Sequence, residues 1–148
     1  MDGGYVICRN FIEGRSVPLI NLGVEGRDSF GCEVSSRWNM PNYQYDCTNN
    51  RVPVCETNNH NNHFHSICLA QRAEKSVNYQ LESLKDVIDN QGLTKKHILL
   101  KMDIEGGEYK GFRTLPLAYL EYIDQIFIEF HIDGPNMLFQ PEAFWGNL

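Results

Sequence analysis

The sequence predicts an α/β fold, a mostly parallel sheet flanked by helices. Three observations carry this. Short apolar segments of strand length alternate with segments of helical spacing, the pattern of strand–helix–strand crossovers. Residues 98–100 (ILL) run unbroken, as suits a strand buried on both faces. Acids gather just beyond strand ends, at Asp46 and at Asp103, Glu105 and Glu108, where open α/β sheets bind ligands. A chain of 148 residues is expected to form one domain, over 1–148, with a real core.

The elements follow in order. Residues 5–8 are a short apolar run, read as an edge strand or lead-in, and 11–16 read as a turn. Residues 17–22 (VPLINL) are the first convincing strand, with Pro18 at its start, where a missing N–H does no harm. Gly23 and Gly26 mark a glycine turn. Asp28 or Ser29 then caps a helix running to about Trp38 and stopping before Pro41. Residues 43–47 (YQYDC) form a second short strand ending at Asp46. From 48 to 65 the chain is rich in Asn and His and poor in apolar residues, which reads as a long polar loop. Residues 66–69 suit a third strand. Leu81, Leu84, Val87 and Ile88 recur at helical spacing within 78–90, and Asn90, Gln91 and Gly92 supply a stop. After the strand at 98–100, Gly106 and Gly107 allow a tight exit, and 108–115 read as a helix. Residues 126–131 (IFIEFH) are the last clear strand, with Ile126, Ile128 and Phe130 on one face and Phe127, Glu129 and His131 on the other. The tail beyond 133 is short and interrupted by prolines, with Phe144 and Trp145 expected to pack on something. No internal repeat is found.

Charge and cysteine bound the function. A net charge of -6, with the acids spread along the chain, argues against a nucleic-acid or anionic-membrane surface, since both need clustered Lys and Arg. No apolar run is long enough to span a bilayer. The first ten residues lack the basic region and apolar core of a signal peptide, which favours the cytoplasm. The five cysteines, none at C-x-x-C spacing, favour buried or free thiols. The other reading is one or two disulfides in a secreted or lumenal protein.

Three segments carry a family resemblance. They are Asn21-Leu22-Gly23-Val24-Glu25-Gly26 with Asp28-Ser29-Phe30, then Tyr45-Asp46, then Leu100-Lys101-Met102-Asp103-Ile104-Glu105-Gly106-Gly107-Glu108 with Ile128-Glu129-Phe130-His131 after it. Together they resemble the FkbM-type methyltransferases over most of the chain. The resemblance implies a Rossmann-like, methyltransferase-type sheet, S-adenosylmethionine as cofactor, and methyl transfer to an acceptor. Two departures stand out. The first turn has two glycines and Asn21 at the strand end, where many methyltransferases have three glycines and an acid. Only 17 residues follow His131, too few for the antiparallel hairpin that usually closes the family sheet. The chain therefore reads as lacking that hairpin, through truncation or as a minimal variant.

The chemistry of such a cofactor assigns roles. An adenosyl group needs a turn the backbone can approach, supplied by Gly23 and Gly26, and an acid for the ribose hydroxyls, supplied by Asp46, 23 residues after Gly23. Glu25 and Asp28 are candidates for the methionine ammonium. The plainer reading makes the glycines turn residues, Asp28 a helix cap and Asp46 a strand-end residue. Asp103 either faces the methionine end of the cofactor or acts as general base on a substrate hydroxyl, with Glu105 beside it. The acids also suit a magnesium ion or simply a helix N-terminus, and no resident metal is expected. His131 is a candidate acid–base residue or a structural histidine. Lys101 pairs with an acid. His60, His63 and His65 read as a solvated loop rather than a zinc site.

The leading expectation is thus an O-methyltransferase acting on a small-molecule or glycan hydroxyl. The alternatives are a methyltransferase-fold binding module without catalysis, and a nicotinamide-dependent oxidoreductase, against which the missing third glycine counts. The acceptor and the oligomeric state are not written in these residues.

Overall fold

A computed structural model describes residues 4–56, 60–71, 73–75 and 79–131. In chain order the elements are β1 (Leu19–Leu22), α1 (Ser29–Trp38), β2 (Asn42–Tyr45), β3 (Asn62–His65), β4 (Ile67–Leu69), β5 (Glu74–Lys75), β6 (Gln80–Glu82), α2 (Leu84–Asn90), β7 (Ile98–Met102), α3 (Glu108–Thr114) and β8 (Ile123–Ile128). Short 3-10 turns cover Arg9–Phe11 and Leu117–Tyr122. Five strands make one sheet in the order β3-β2-β1-β7-β8, every neighbouring pair parallel. The chain steps outward from β1 to β3, then returns to lay β7 against the other side of β1. That reversal opens a crevice at the β1/β7 strand ends, the switch point where α/β sheets take ligands. A second small sheet, β4-β6-β5, stands beside the first.

The central strands are buried on both faces, as their unbroken apolar runs require. Every residue of β1 and of β7 is buried. Alternation divides them. Leu19, Leu99 and Phe127 pack with Val34 and Met40 on the α1 side. Ile20, Leu22, Leu100 and Met102 pack with Leu84, Val87 and Ile88 of α2 on the other.

The α1 side holds a buried charge. Asp28 caps α1, its Oδ1 accepting from Gly31 N at 2.7 Å. Its Oδ2 accepts from the amides of Asn21 (2.9 Å), Asn42 (2.9 Å) and Gln44 (2.6 Å). Four donors compensate the desolvation of one carboxylate and bolt the helix N-terminus to β1 and β2. Gly31 must be glycine, because a Cβ there would lie 2.3 Å from Asn21 Nδ2.

Several expectations are corrected. Residues 48–65 are not all loop: 62–65 pair with β2 as an edge strand, and His63 and His65 stack on Tyr43 and Tyr45 at 5.3 and 4.7 Å between centroids. Cross-strand aromatic packing replaces the apolar alternation that would have marked the strand. Burial lowers the His65 pKa. The helix within 78–90 is confined to Leu84–Asn90, because Ser83 and Asp86 form a reciprocal capping box that sets its start. Leu81 belongs to β6 instead. Residues 5–8 form no ladder; the Cys8 backbone pairs with the Gln125 side-chain amide through bonds of 2.8 and 2.9 Å. Tyr5 packs edge-on against Phe30 and Phe127. The last strand starts earlier than expected and ends at Ile128, placing Glu129 and His131 beyond it. The free-thiol expectation also fails: Cys32 pairs with Cys55 and Cys47 with Cys68, and only Cys8 is free. The tail expectation and the question of the closing hairpin lie outside the described residues. Among the described residues no helix is long and apolar enough to cross a membrane.

The Asp28 network predicts that Asp28→Ala strands three buried amide donors and removes a helix cap, costing about 3 kcal/mol or more. Urea unfolding is expected to show a lower midpoint at an unchanged slope.

Candidate active site

The site is built from three strand ends brought together. At the end of β1 the chain turns at Gly23, with φ 79°. Gly23 N donates to Tyr45 O at 2.9 Å, and Asp103 N donates to Leu22 O at 3.0 Å, so the tips of β2, β1 and β7 are tied in a row. A Cβ on Gly23 would sit 1.6 Å from the Asp103 carbonyl oxygen. Only glycine permits this approach. Lys101, buried at the end of β7, donates from Nζ to Gly23 O at 2.6 Å and lies 3.4 Å from Asp103 Oδ2.

Asp46, one residue past β2, holds the turn from the other side. Its Oδ2 accepts from Val24 N (3.1 Å) and Glu25 N (2.7 Å). Its Oδ1 accepts from Thr48 N (2.8 Å) and Thr48 Oγ (2.7 Å). Burial works to raise its pKa, but the hydrogen bonds from Thr48, Glu25 and Val24 outweigh it and hold the carboxyl below its usual value. Glu25 carries a left-handed backbone, φ 46°, and its side chain is exposed.

Beyond these ends lies a cleft of about 350 Å³, within the roughly 300–1,000 Å³ typical of small-molecule sites. Its two ends differ in chemistry. One wall is apolar: Ile67 and Leu69 of β4 and the Cys47–Cys68 disulfide. Tyr45 also borders it; burial pushes that phenol up to about 12, so it remains neutral while its oxygen accepts from Gln91. The other end is acidic, with Asp103, Glu105, Glu129 and His131.

His131 sits among carboxylates. Its Nδ1 is 3.2 Å from Oε1 of Glu108, a fully buried residue. Its Nε2 lies 3.6 Å from Asp103 Oδ1 and 3.6 Å from Glu105 Oε2. Desolvation pulls the His131 pKa down, but the Glu108 hydrogen bond and the charges of Glu108, Glu105 and Asp103 prevail and raise it. Glu108 also accepts from Ile104 N at 2.8 Å, clasping the turn that leads into α3. Among the described residues Asp103, Glu129 and His131 bring one ligand atom each within 4.8 Å of one another, a set that could hold a hard cation.

Of the residues singled out in the sequence, Gly23, Glu25, Asp46, Asp103, Glu105 and His131 border one cleft. Two are placed otherwise. Gly26 stands off the cleft with open space where a Cβ would go, and the positive φ of the turn falls on Glu25 and Gly23. Asp28 borders the cleft, but its carboxylate oxygens accept from the α1 cap and from the core amides of Asn21, Asn42 and Gln44. Sequence reasoning missed Glu108 as the partner of His131 and Lys101 as the clamp on Gly23. Lys101 carried a readable signal, a cation inside an apolar strand. Glu108 carried none, since its contact spans 23 residues.

The family described as the methyltransferase FkbM domain matches residues 4–140. No curated protein and no solved structure matches the chain significantly.

Two outcomes are expected. Gly23→Ala forces a side chain into the Asp103 carbonyl at a left-handed φ, and a loss of roughly 2 kcal/mol or more is expected in thermal or urea unfolding. In a proton NMR titration the His131 pKa is expected to lie above the ordinary histidine value, and Glu108→Gln to bring it down. Because the folded value is raised, this group's contribution to stability is full below about pH 6.5 and fades as pH rises through the folded pKa.

Proposed function

Because the chain belongs to the methyltransferase FkbM domain family, whose members generally use S-adenosylmethionine, we propose that it binds this cofactor in the cleft and methylates a hydroxyl oxygen. One observation carries the reading: Gly23, Asp46 and Asp103, from three adjacent strand ends, border a single cleft at the switch point of the sheet.

The residues present fit such a group. A turn without a Cβ, an apolar wall and an acidic end match, in order, a close backbone approach, an adenine ring and the cationic methionine end. Gly23, Glu25, Asp46 and Asp103 would hold the cofactor. Asp46 acts mainly by pinning the Val24 and Glu25 amides, and a ribose hydroxyl would take the position of the Thr48 hydroxyl on Oδ1. When bound, the cofactor supplies a methyl group on a positively charged sulfur. His131 is oriented through Nδ1 by Glu108, so its Nε2 faces the cleft and can take the proton of an acceptor hydroxyl. Asp103 and Glu105, near that nitrogen, stabilise the imidazolium that forms. The base form of His131 is the neutral ring, so turnover rises with pH through the raised pKa. The acceptor is read as a hydroxyl-bearing small molecule or glycan, since a positioned base helps most where the nucleophile is an alcohol.

A second reading keeps the fold as a binding module without catalysis. Its support is the Asp46 carboxylate, whose oxygens are both already occupied by the protein's own donors. The two disulfides are compatible with a secreted or lumenal protein, and we place the chain there rather than in the cytoplasm.

Calorimetry with S-adenosylhomocysteine is expected to show binding, weakened about tenfold or more by Asp46→Ala. No heat of binding to the intact protein would remove the methyltransferase reading. Methyl transfer to any hydroxyl acceptor would remove the binding-module reading.

A further inference from the structure

The two disulfides are similar in sequence span, 23 and 21 residues, but differ in where they stand. Cys32–Cys55 joins α1 to the segment before β3 and borders no part of the cleft. Cys47–Cys68 is part of the cleft wall: both cysteines line it, each partly exposed. Cys47 follows Asp46 directly, so the same short strand tip carries the residue that pins the Gly23 turn and the sulfur that reaches across to β4.

The strand on the far side of that bond belongs to the second sheet, not the first. It is paired with β6, and its Ile67 and Leu69 pack against the edge of the main core. Leu69 packs over Gly111 of α3, where a Cβ would come within 2.7 Å of it. Asp46 N donates to His65 O at 3.1 Å, and Ser66 Oγ meets Asn49 O at 3.3 Å. The bond at Cys68 lies close to these, and it is the disulfide that joins the apolar wall to the Asp46 tip.

We infer that the Cys47–Cys68 disulfide is a positioning element of the cofactor site, holding Ile67 and Leu69 at a fixed distance from the Gly23 turn so that the wall is formed before an adenine ring arrives. The inference rests on the methyltransferase reading above. A preformed wall spares the ligand the cost of ordering it, and a polarisable sulfur pair beside an aromatic ring adds contact of its own. Cys32–Cys55 does neither and serves the fold alone. The two bonds therefore separate affinity from stability.

The test compares Cys47→Ser/Cys68→Ser with Cys32→Ser/Cys55→Ser in the full chain, reading S-adenosylhomocysteine affinity by calorimetry and thermal stability in parallel. Both pairs are expected to lower the melting temperature. Only the first is expected to weaken binding, by about tenfold or more, while the second stays within about twofold of the parent. If the serine pair at 47 and 68 does not fold, Cys47→Val/Cys68→Ala keeps the wall apolar without the tether and carries the same expectation. Unchanged affinity in the 47/68 variant overturns the inference while leaving the cofactor reading intact. So does a loss of affinity that tracks melting temperature equally in both pairs. Absence of binding by the unaltered protein removes both.

Discussion

Everything at the cleft end of this molecule depends on how closely two strand tips approach. Gly23 and the Asp103 carbonyl leave no room for a side chain between them, and the contact is held from both sides. Lys101 binds the Gly23 carbonyl; Asp46 binds the next two amides. A cation thus satisfies the acceptor and an anion the donors of one turn, with little freedom left in the backbone between them. The cleft is the space that this clamped turn cannot fill.

Two aspartates 18 positions apart show how burial sorts like residues into unlike work. Asp28 is buried behind the turn, where desolvation is offset by four donors from α1, β1 and β2. Asp46 is nearly as buried but sits at the cleft edge, where its donors come from loops. The first anchors the helix to the sheet, and the second shapes the site. The acidic end follows a different logic. There His131 is surrounded by Glu108, Asp103 and Glu105, and the hydrogen bond and charge of Glu108, with the charges of the other two behind it, raise its pKa against the pull of desolvation.

Much of the architecture was legible because its causes are local. The ILL run of β7 needs burial on both faces and receives it. Asp28 caps α1 where a Ser/Asp N-cap was expected, and that helix ends at Trp38, short of Pro41, with Asn39 as its left-handed C-cap. The family signature around Asp103 depends on residues adjacent in the chain. Where the reading failed, the missing partner was remote. The strand at 62–65 looks like polar loop until Tyr43 and Tyr45 lie beside its histidines, and Leu81 fits a helical period until the Ser83 capping box intervenes.

By itself, then, the sequence determined the alternation of strands and helices, the parallel sheet, the family, and the acids that stand at strand ends, since each follows from short-range periodicity, capping or a contiguous motif. The tertiary structure alone decided which acid faces the core and which the cleft, that Glu108 supports His131 across 23 residues, and that four of the five cysteines pair. Those outcomes depend on the packing of segments far apart in the chain, and spacing along one dimension carries no record of which side chains will meet in three.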